Sequence, residues 1–287
     1  MTVRFIERFE SADTSLSYTL PTARYEWTPG QSLRNAYSYG VGASYAYDHY
    51  GYASAPMGLS RETIRTWAIG ATVGALEAEI DDARATCWRI GLGKLWLLNS
   101  DATYRWAWAR LAGMPAFEIR PGVAATVHTP MVFEFERISP WFDETATTGS
   151  QTIDTLAESV TINNPGNIPV FDITFRFRNS GGAIHPRMVN TTTGYSFIHT
   201  RDMVGVNDEI RVATGTRAVE FSPDDGATYL NDYSRFGRGE AQPGIMKLDP
   251  GNNAIRMWTG QQHGLPWLAS SPTPNYPLEW SLFGAYA

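Results

Sequence analysis

The feature that most constrains how this chain can fold is a strand pattern within residues 160–178. An Asn-Pro-Gly turn at 164–166 leads into a segment in which apolar and polar residues alternate without error. The apolar set is Phe171, Ile173, Phe175 and Phe177, and the polar set is Asp172, Thr174, Arg176 and Arg178. Because successive strand residues point to opposite faces, the pattern predicts a sheet with one buried and one solvated face.

Turn signals recur through the rest of the second half. Examples are Asp224-Asp225-Gly226 and the Asp-Pro-Gly-Asn sequence at 249–252, and residues 278–282 alternate again as a strand would. No stretch of this half has helical periodicity. Short strands separated by turns at intervals of about 8–12 residues are typical of a β-sandwich.

The first half contains one predicted helix, at about residues 72–90. Its apolar residues recur at steps of three and four at Val73, Leu76, Ile80, Ala83 and Cys87. Thr72 is suited to cap the helix, and Gly91 to end it. A strand at 61–72 precedes the helix, a hairpin at 94–111 follows it, and a further strand occupies 131–138. The acidic residues early in the helix are interpreted as its solvated face.

Residues 144–154 are polar and contain almost no large apolar side chain. We therefore predict a linker there. This divides the chain into an N-terminal domain at 1–143 and a C-terminal domain at 155–287.

Composition excludes several classes of function. The net charge of -6 over 287 residues argues against a general nucleic-acid binder. The single cysteine, Cys87, precludes an internal disulfide, and the five histidines lack the spacing of a zinc site. No catalytic motif, signal peptide or apolar membrane span is found in the sequence. We predict a protein without enzymatic activity, cofactor, metal or membrane association.

The candidate site is a surface for self-association rather than for chemistry. Residues 29–58 interleave tyrosines with Gly, Ala and Ser. The tyrosines are Tyr37, Tyr39, Tyr45, Tyr47, Tyr50 and Tyr52. Tyrosine gives a large contact area at low entropic cost, which suits an interface. The alternative is a long surface loop folded onto its own domain.

The order of these parts resembles the distal tail (Dit-like) proteins of long-tailed phages. The resemblance rests on the strand, acidic helix and hairpin at 61–111, the strand ending at Pro140-Trp141, the turn at 164–166, Gly194, and the Pro-Gly-Asn at 250–252. It implies a mainly β fold. The N-terminal domain would be a ring-forming β-barrel or sandwich with one α-helix, and the C-terminal domain a galectin-like β-sandwich.

The resemblance also implies a function and partners. Such a protein is a structural virion protein of the tail, assembled in the host cytoplasm, that forms a hexameric ring. The ring joins the tail tube to the tip hub and to receptor-binding or fibre proteins, and DNA passes through its lumen without specific binding. Two alternatives stay open: another minor tail or tube component, and a carbohydrate-binding module for attachment to the host cell wall.

Overall fold

The chain forms two separate units around separate hydrophobic cores. A computed structural model describes residues 4–22, 25–29, 60–116, 127–153, 157–179, 186–201, 203, 205–215, 218–238, 246–258 and 276–286. The described residues up to Glu144 belong to the first unit, and those from Thr145 onwards to the second.

The first unit is built on one antiparallel sheet. Its strands are β1 (Phe5–Ser11), β2 (Ser17–Thr19), β3 (Glu26–Thr28), β4 (Ser60–Gly70), β5 (Leu92–Leu98), β6 (Tyr104–Ala116), β7 (Val127–Arg137) and β8 (Trp141–Asp143). Their order in the sheet is β2-β1-β5-β6-β7-β4-β3, and β8 pairs with β6. The predicted hairpin is present as β5 and β6, with Trp96 opposite Trp106.

This sheet is strongly curved. Phe9 on β1 and Phe135 on β7 have ring centroids 4.9 Å apart, although β5 and β6 lie between those strands in the sheet. In a flat sheet, strands three positions apart would be separated by about 14 Å. The inner faces of β1 and β7 therefore turn towards one another and enclose the core of the unit.

Helix α1 (Val73–Ile90) covers the inner side of this unit. The Thr72 side chain accepts a hydrogen bond from the Ala75 backbone N–H at 3.2 Å, as the sequence predicts for the N-cap. Four of the five residues of the predicted apolar stripe are buried, but Val73 is 46% exposed because it lies in the first turn, before the helix meets the sheet. The helix approaches β4 so closely that a Cβ at Gly70 would lie 2.5 Å from the Leu76 backbone nitrogen.

The second unit consists of two antiparallel sheets. Its strands are β9 (Thr147–Ile153), β10 (Ala157–Asn164), β11 (Ile173–Arg178), β12 (Arg187–Asn190), β13 (Ser196–His199), β14 (Glu209–Ala213), β15 (Ala218–Ser222), β16 (Leu230–Asn231), β17 (Phe236–Arg238), β18 (Gly251–Trp258), β19 (Tyr276–Leu282) and β20 (Ala285–Tyr286). One sheet has the order β10-β18-β12-β13-β17, and the other β16-β15-β14-β11-β19-β9; the two-residue strand β20 belongs to neither. A single 3₁₀ turn, Tyr233–Arg235, is the only helical segment among the described residues of this unit.

The predicted alternation of β11 is confirmed and forms the centre of the sandwich. Phe175 and Phe177 are fully buried, and their rings lie 6.0 and 6.1 Å from that of Phe197 on β13 of the opposite sheet. The Asp-Asp-Gly turn is also present. Gly226 has φ +82°, a conformation that glycine adopts without steric cost.

The prediction of a linker at 144–154 is wrong. Thr147–Ile153 forms the strand β9, which pairs along its whole length with β19 at the edge of the six-stranded sheet. Thr148, Ser150 and Thr152 face solvent, while Gly149 lies beneath the Trp280 ring. Because an edge strand can have an entirely polar outer face, its composition is that of a linker although every one of its residues pairs with β19.

Candidate functional site

The six tyrosines proposed as a self-association surface lie outside the described residues. The structure therefore says nothing of Tyr37, Tyr39, Tyr45, Tyr47, Tyr50 or Tyr52, and their role stays a prediction. Within the described ranges, the remaining candidates are groups that could carry out chemistry and surfaces that are exposed.

Cys87 is packed as a structural residue. It is fully buried on the inner side of α1, and burial raises the pKa of its thiol to about 12. At neutral pH the group is therefore a thiol, which is a poor nucleophile. In the part of the chain that the structure describes, no cluster of three His, Cys, Asp or Glu side chains could hold a metal ion.

His199 and Asp232 have the spacing of a catalytic pair but lie in a closed environment. The His199 Nε2 is 3.1 Å from a carboxylate oxygen of Asp232, and the imidazole is fully buried. Arg201 binds the same carboxylate through two hydrogen bonds of 2.5 and 2.6 Å. Because both oxygens already accept hydrogen bonds from Arg201, we interpret the cluster as a structural clamp between β13 and the segment after β16.

A second buried carboxylate lies on the outer side of the six-stranded sheet. Glu209 accepts hydrogen bonds from Arg176 at 2.9 and 3.0 Å, from Arg178 at 3.0 Å, and from the Tyr229 hydroxyl. Burial alone would raise the pKa of Glu209, but the hydrogen bonds from Tyr229 and Arg176 outweigh it, and the pKa lies below its ordinary value. Arg176 also binds Glu279 at 3.0 Å. The network joins β11, β14 and β19.

The aromatic ladder of β6 is packed into the unit. Trp106 is buried, whereas Tyr104 and Trp108, on the same face of the strand, are half-buried. The Trp106 ring lies 4.9 Å from the Phe142 ring and from the Lys94 ammonium group. With its faces so occupied, Trp106 offers no free stacking platform for a base or a sugar.

In the described part of the first unit, the large exposed apolar side chains lie near the two ends of α1. Trp88 is 69% exposed and Leu92, just beyond the helix, is 52% exposed. At the other end are Val73 and Ile69, the latter 57% exposed. Tryptophan is enriched in protein interfaces, and one this exposed on a helix is an unusual surface feature. Sequence reasoning missed Trp88, although it falls outside the buried stripe and could have been found by its position on the helix.

The outer face of β4 is the second exposed surface of this unit. Arg61, Arg65 and Ile69 are exposed, while Trp67 is half-buried and packs against His128 with ring centroids 4.9 Å apart and the ring planes tilted by 49°. Arginine, tryptophan and isoleucine together are typical of residues that contact another protein. The candidate sites in the described residues are thus exposed surfaces rather than pockets with reactive groups.

No helix among the described residues is long and apolar enough to span a membrane.

The fold defines a class of protein: a mainly β chain with a helix-bearing, curved sheet followed by a β-sandwich. A comparison of the sequence with known protein families gives no match, and a comparison with curated proteins also gives none.

Among solved structures, the chain has the fold of the Dit protein of phage SPP1. That protein is described as a paradigm of the hub adsorption apparatus in phages that infect Gram-positive bacteria. The TM-score is 0.56 at 12% identity, and the match covers 98% of this chain and 99% of that one.

Two structures of the phage p2 baseplate in its activated conformation also match. The structure with Sr has a TM-score of 0.43 at 11% identity, covering 96% of this chain and 98% of that chain. The structure with Ca has a TM-score of 0.41 at 12% identity, covering 88% of this chain and 98% of that chain.

Proposed function

We propose that this chain is a structural protein of the distal end of a long phage tail. In this role it assembles into a ring, hexameric as the family resemblance implies. The ring connects the tail tube to the tip hub and to receptor-binding or fibre proteins. The protein is then located in the tail of the virion and is assembled in the host cytoplasm.

The observation that supports this proposal best is the extent of the shared fold. The likeness to SPP1 Dit spans nearly the whole of both chains, so it includes both units in the same order. A match confined to the second unit would have been equally compatible with an isolated binding module, because β-sandwiches serve many functions.

The chemistry of the described residues agrees with a structural role. The candidate reactive groups, Cys87 and the pair formed by His199 and Asp232, are buried and held in place by packing or by Arg201. We therefore propose that the chain has no enzymatic activity. Its net charge of -6 would let DNA pass through a ring lumen without strong adsorption, since bound phosphates require compensating cations.

The proposal is tested by negative-stain electron microscopy of the purified protein over a range of concentrations, combined with mass photometry. Six-fold rings with peripheral knobs are the expected result. A fusion of a small marker protein to the C-terminus should then add density at the knobs only, if the second unit projects outwards.

Other outcomes would replace the proposal with one of its alternatives. Long stacked tubes would identify a tube component. A monomer at every concentration that also binds defined cell-wall glycans on an array would identify a carbohydrate-binding module. A monomer that neither binds glycans nor is recruited to purified tail tubes would overturn the proposal.

A further inference from the structure

We propose that adjacent copies of this chain contact one another through two different surfaces of the first unit. The exposed stripe of α1 that ends at Trp88 would pack against the outer face of β4 on the next copy. This inference rests on the proposed function, because it takes a second copy of the chain as the occupant of the surface.

The α1 stripe combines apolar and charged side chains. With 3.6 residues per turn, Val73, Glu77, Arg84 and Trp88 lie along one side of the helix. Asp81 borders this stripe and lies 4.0 Å from Arg84. Glu77 is exposed and forms no ion pair with any residue in the described ranges. The stripe thus presents an uncompensated carboxylate and an exposed tryptophan.

The outer face of β4 has the complementary character. Arg65 is exposed and, among the described residues, has no ion pair, although Glu26 lies opposite it on β3. Arg61, whose side chain is 63% exposed, makes only a long contact of 3.7 Å with Glu134. Ile69 and the half-buried Trp67 supply apolar area at the end of the same face.

The two surfaces point in different directions. The residues of β4 that alternate with the exposed ones, Ile64, Thr66 and Ala68, are fully or almost fully buried on the side of the sheet that α1 covers. The exposed face of β4 is therefore on the side of the sheet away from the helix. Two distinct patches on one subunit make a head-to-tail contact, and such contacts close into rings when the rotation allows it.

The α1 stripe and the outer face of β4 also have similar lengths. From Val73 to Trp88 the helix rises about 22 Å. From Arg61 to Ile69 the strand extends about 26 Å. Glu77 and Trp88 are about 17 Å apart along the helix. Arg65 and Ile69 are about 13 Å apart along the strand, so Glu77 can lie near Arg65 of the next copy while Trp88 lies near its Ile69. Charge complementarity of this kind fixes the register of an interface.

The test begins with single substitutions measured by mass photometry and sedimentation velocity on the full chain. Trp88→Ala should weaken self-association by about 30-fold or more, as expected when a tryptophan that anchors an interface is truncated. Glu77→Arg and Arg65→Glu should each weaken it as well, because each places like charges opposite one another. Asp82→Arg makes the same charge change as Glu77→Arg on another side of α1 and should leave association unaltered.

The decisive experiment mixes the two charge variants. In an equimolar mixture of Glu77→Arg and Arg65→Glu chains, an alternating ring restores opposite charges at every contact. Association should therefore return to near the parent level in the mixture although each variant alone is defective. A variant that merely unfolded the first unit could not be rescued in this way, and circular dichroism of each variant confirms its fold.

Three results would overturn the inference: rings of Trp88→Ala as stable as those of the parent, an equal defect for Asp82→Arg, or no rescue in the mixture. In the first case rings still form, so the proposed function stands and the contact lies elsewhere. If the parent protein itself forms no oligomer and is not recruited to tail tubes, the proposed function fails together with the contact.

Discussion

Phe175 shows how strongly a single residue determines whether the second unit folds. Its side chain is fully buried between the two sheets, where it contacts Phe197. Replacing a buried Phe with Ala costs about 3–5 kcal/mol. Phe175→Asp adds an unpaired charge to that loss, so we expect the second unit to unfold.

The control is Thr174→Asp, one residue earlier and on the opposite face of the same strand. Thermal unfolding followed by circular dichroism should show a transition close to that of the parent for Thr174→Asp and loss of the second unit's transition for Phe175→Asp. Equal melting of Phe175→Asp and the parent would mean that the assigned facing of β11 is wrong.

The Glu209 carboxylate should make the stability of the second unit depend on pH. The folded-state pKa of this carboxylate is depressed below its ordinary value of 4.5, burial being outweighed by the hydrogen bonds from Tyr229 and Arg176. The folded state therefore binds a proton less readily than the unfolded state. The stabilisation is complete above about pH 4.5 and is lost as the pH falls through the folded pKa.

Glu209→Gln removes both the charge and this pH dependence. It should lower the free energy of unfolding at pH 7 by about 1–3 kcal/mol, the cost of hydrogen bonds lost to charged partners. Glu220→Gln, in the more exposed pair with Arg211, should cost less than about 1 kcal/mol. Urea unfolding at pH 7 and pH 4 measures both, and an unaltered pH dependence in Glu209→Gln would show that another group is responsible.

At the scale of elements, β9 depends on a glycine that leaves room for a tryptophan. A Cβ at position 149 would lie 2.3 Å from the Trp280 ring, so a side chain there must displace the indole. Gly149→Val should destabilise the second unit by about 1–3 kcal/mol through overpacking. Tryptophan fluorescence should report the moved ring. Ser150→Val, which faces solvent on the same strand, is the control and should have little effect.

Hydrogen exchange gives an independent view of the same element. About half of the amides of an edge strand donate to its neighbour, and the rest face outwards. If β9 pairs with β19 in solution, amides in 147–153 should show this alternation of slow and fast exchange. Uniformly fast exchange would restore the interpretation of 144–154 as a linker.

At the scale of the whole molecule, the two separate hydrophobic cores predict that each unit can fold without the other. Residues 145–287 contain both sheets of the sandwich, so this fragment should unfold cooperatively on its own. The fragment 155–287 begins at the boundary that composition predicts and lacks β9. Its β19 would have an uncovered edge, and we expect a lower melting temperature and aggregation. Equal stability of the two fragments would show that β9 contributes little to the second unit.

Local pattern predicted the individual elements well. The alternation of residues 171–178 predicted β11 and its buried face, and the spacing of Leu76, Ile80, Ala83 and Cys87 predicted α1 and the side that it buries. Thr72 predicted the N-cap of α1, and Gly226 predicted the turn that contains it. These features depend on residues close together in the chain, so the sequence determines them directly.

Other features were decided only by the tertiary structure. β9 has the composition of a linker because only pairing with β19, more than 120 residues away, makes it a strand. Glu209 gains its partners from β11 and from Tyr229, and no local pattern indicates that contact. The position of Trp88 outside the apolar stripe of α1 can be read from the sequence, but its 69% exposure depends on which neighbours the fold places around it. The sequence by itself determined the elements with a strong local pattern, such as α1 and β11, and the side that each buries, because those patterns depend on residues close together in the chain. Pairing and burial between distant segments decided the rest, including β9 and the residues that remain available for contact.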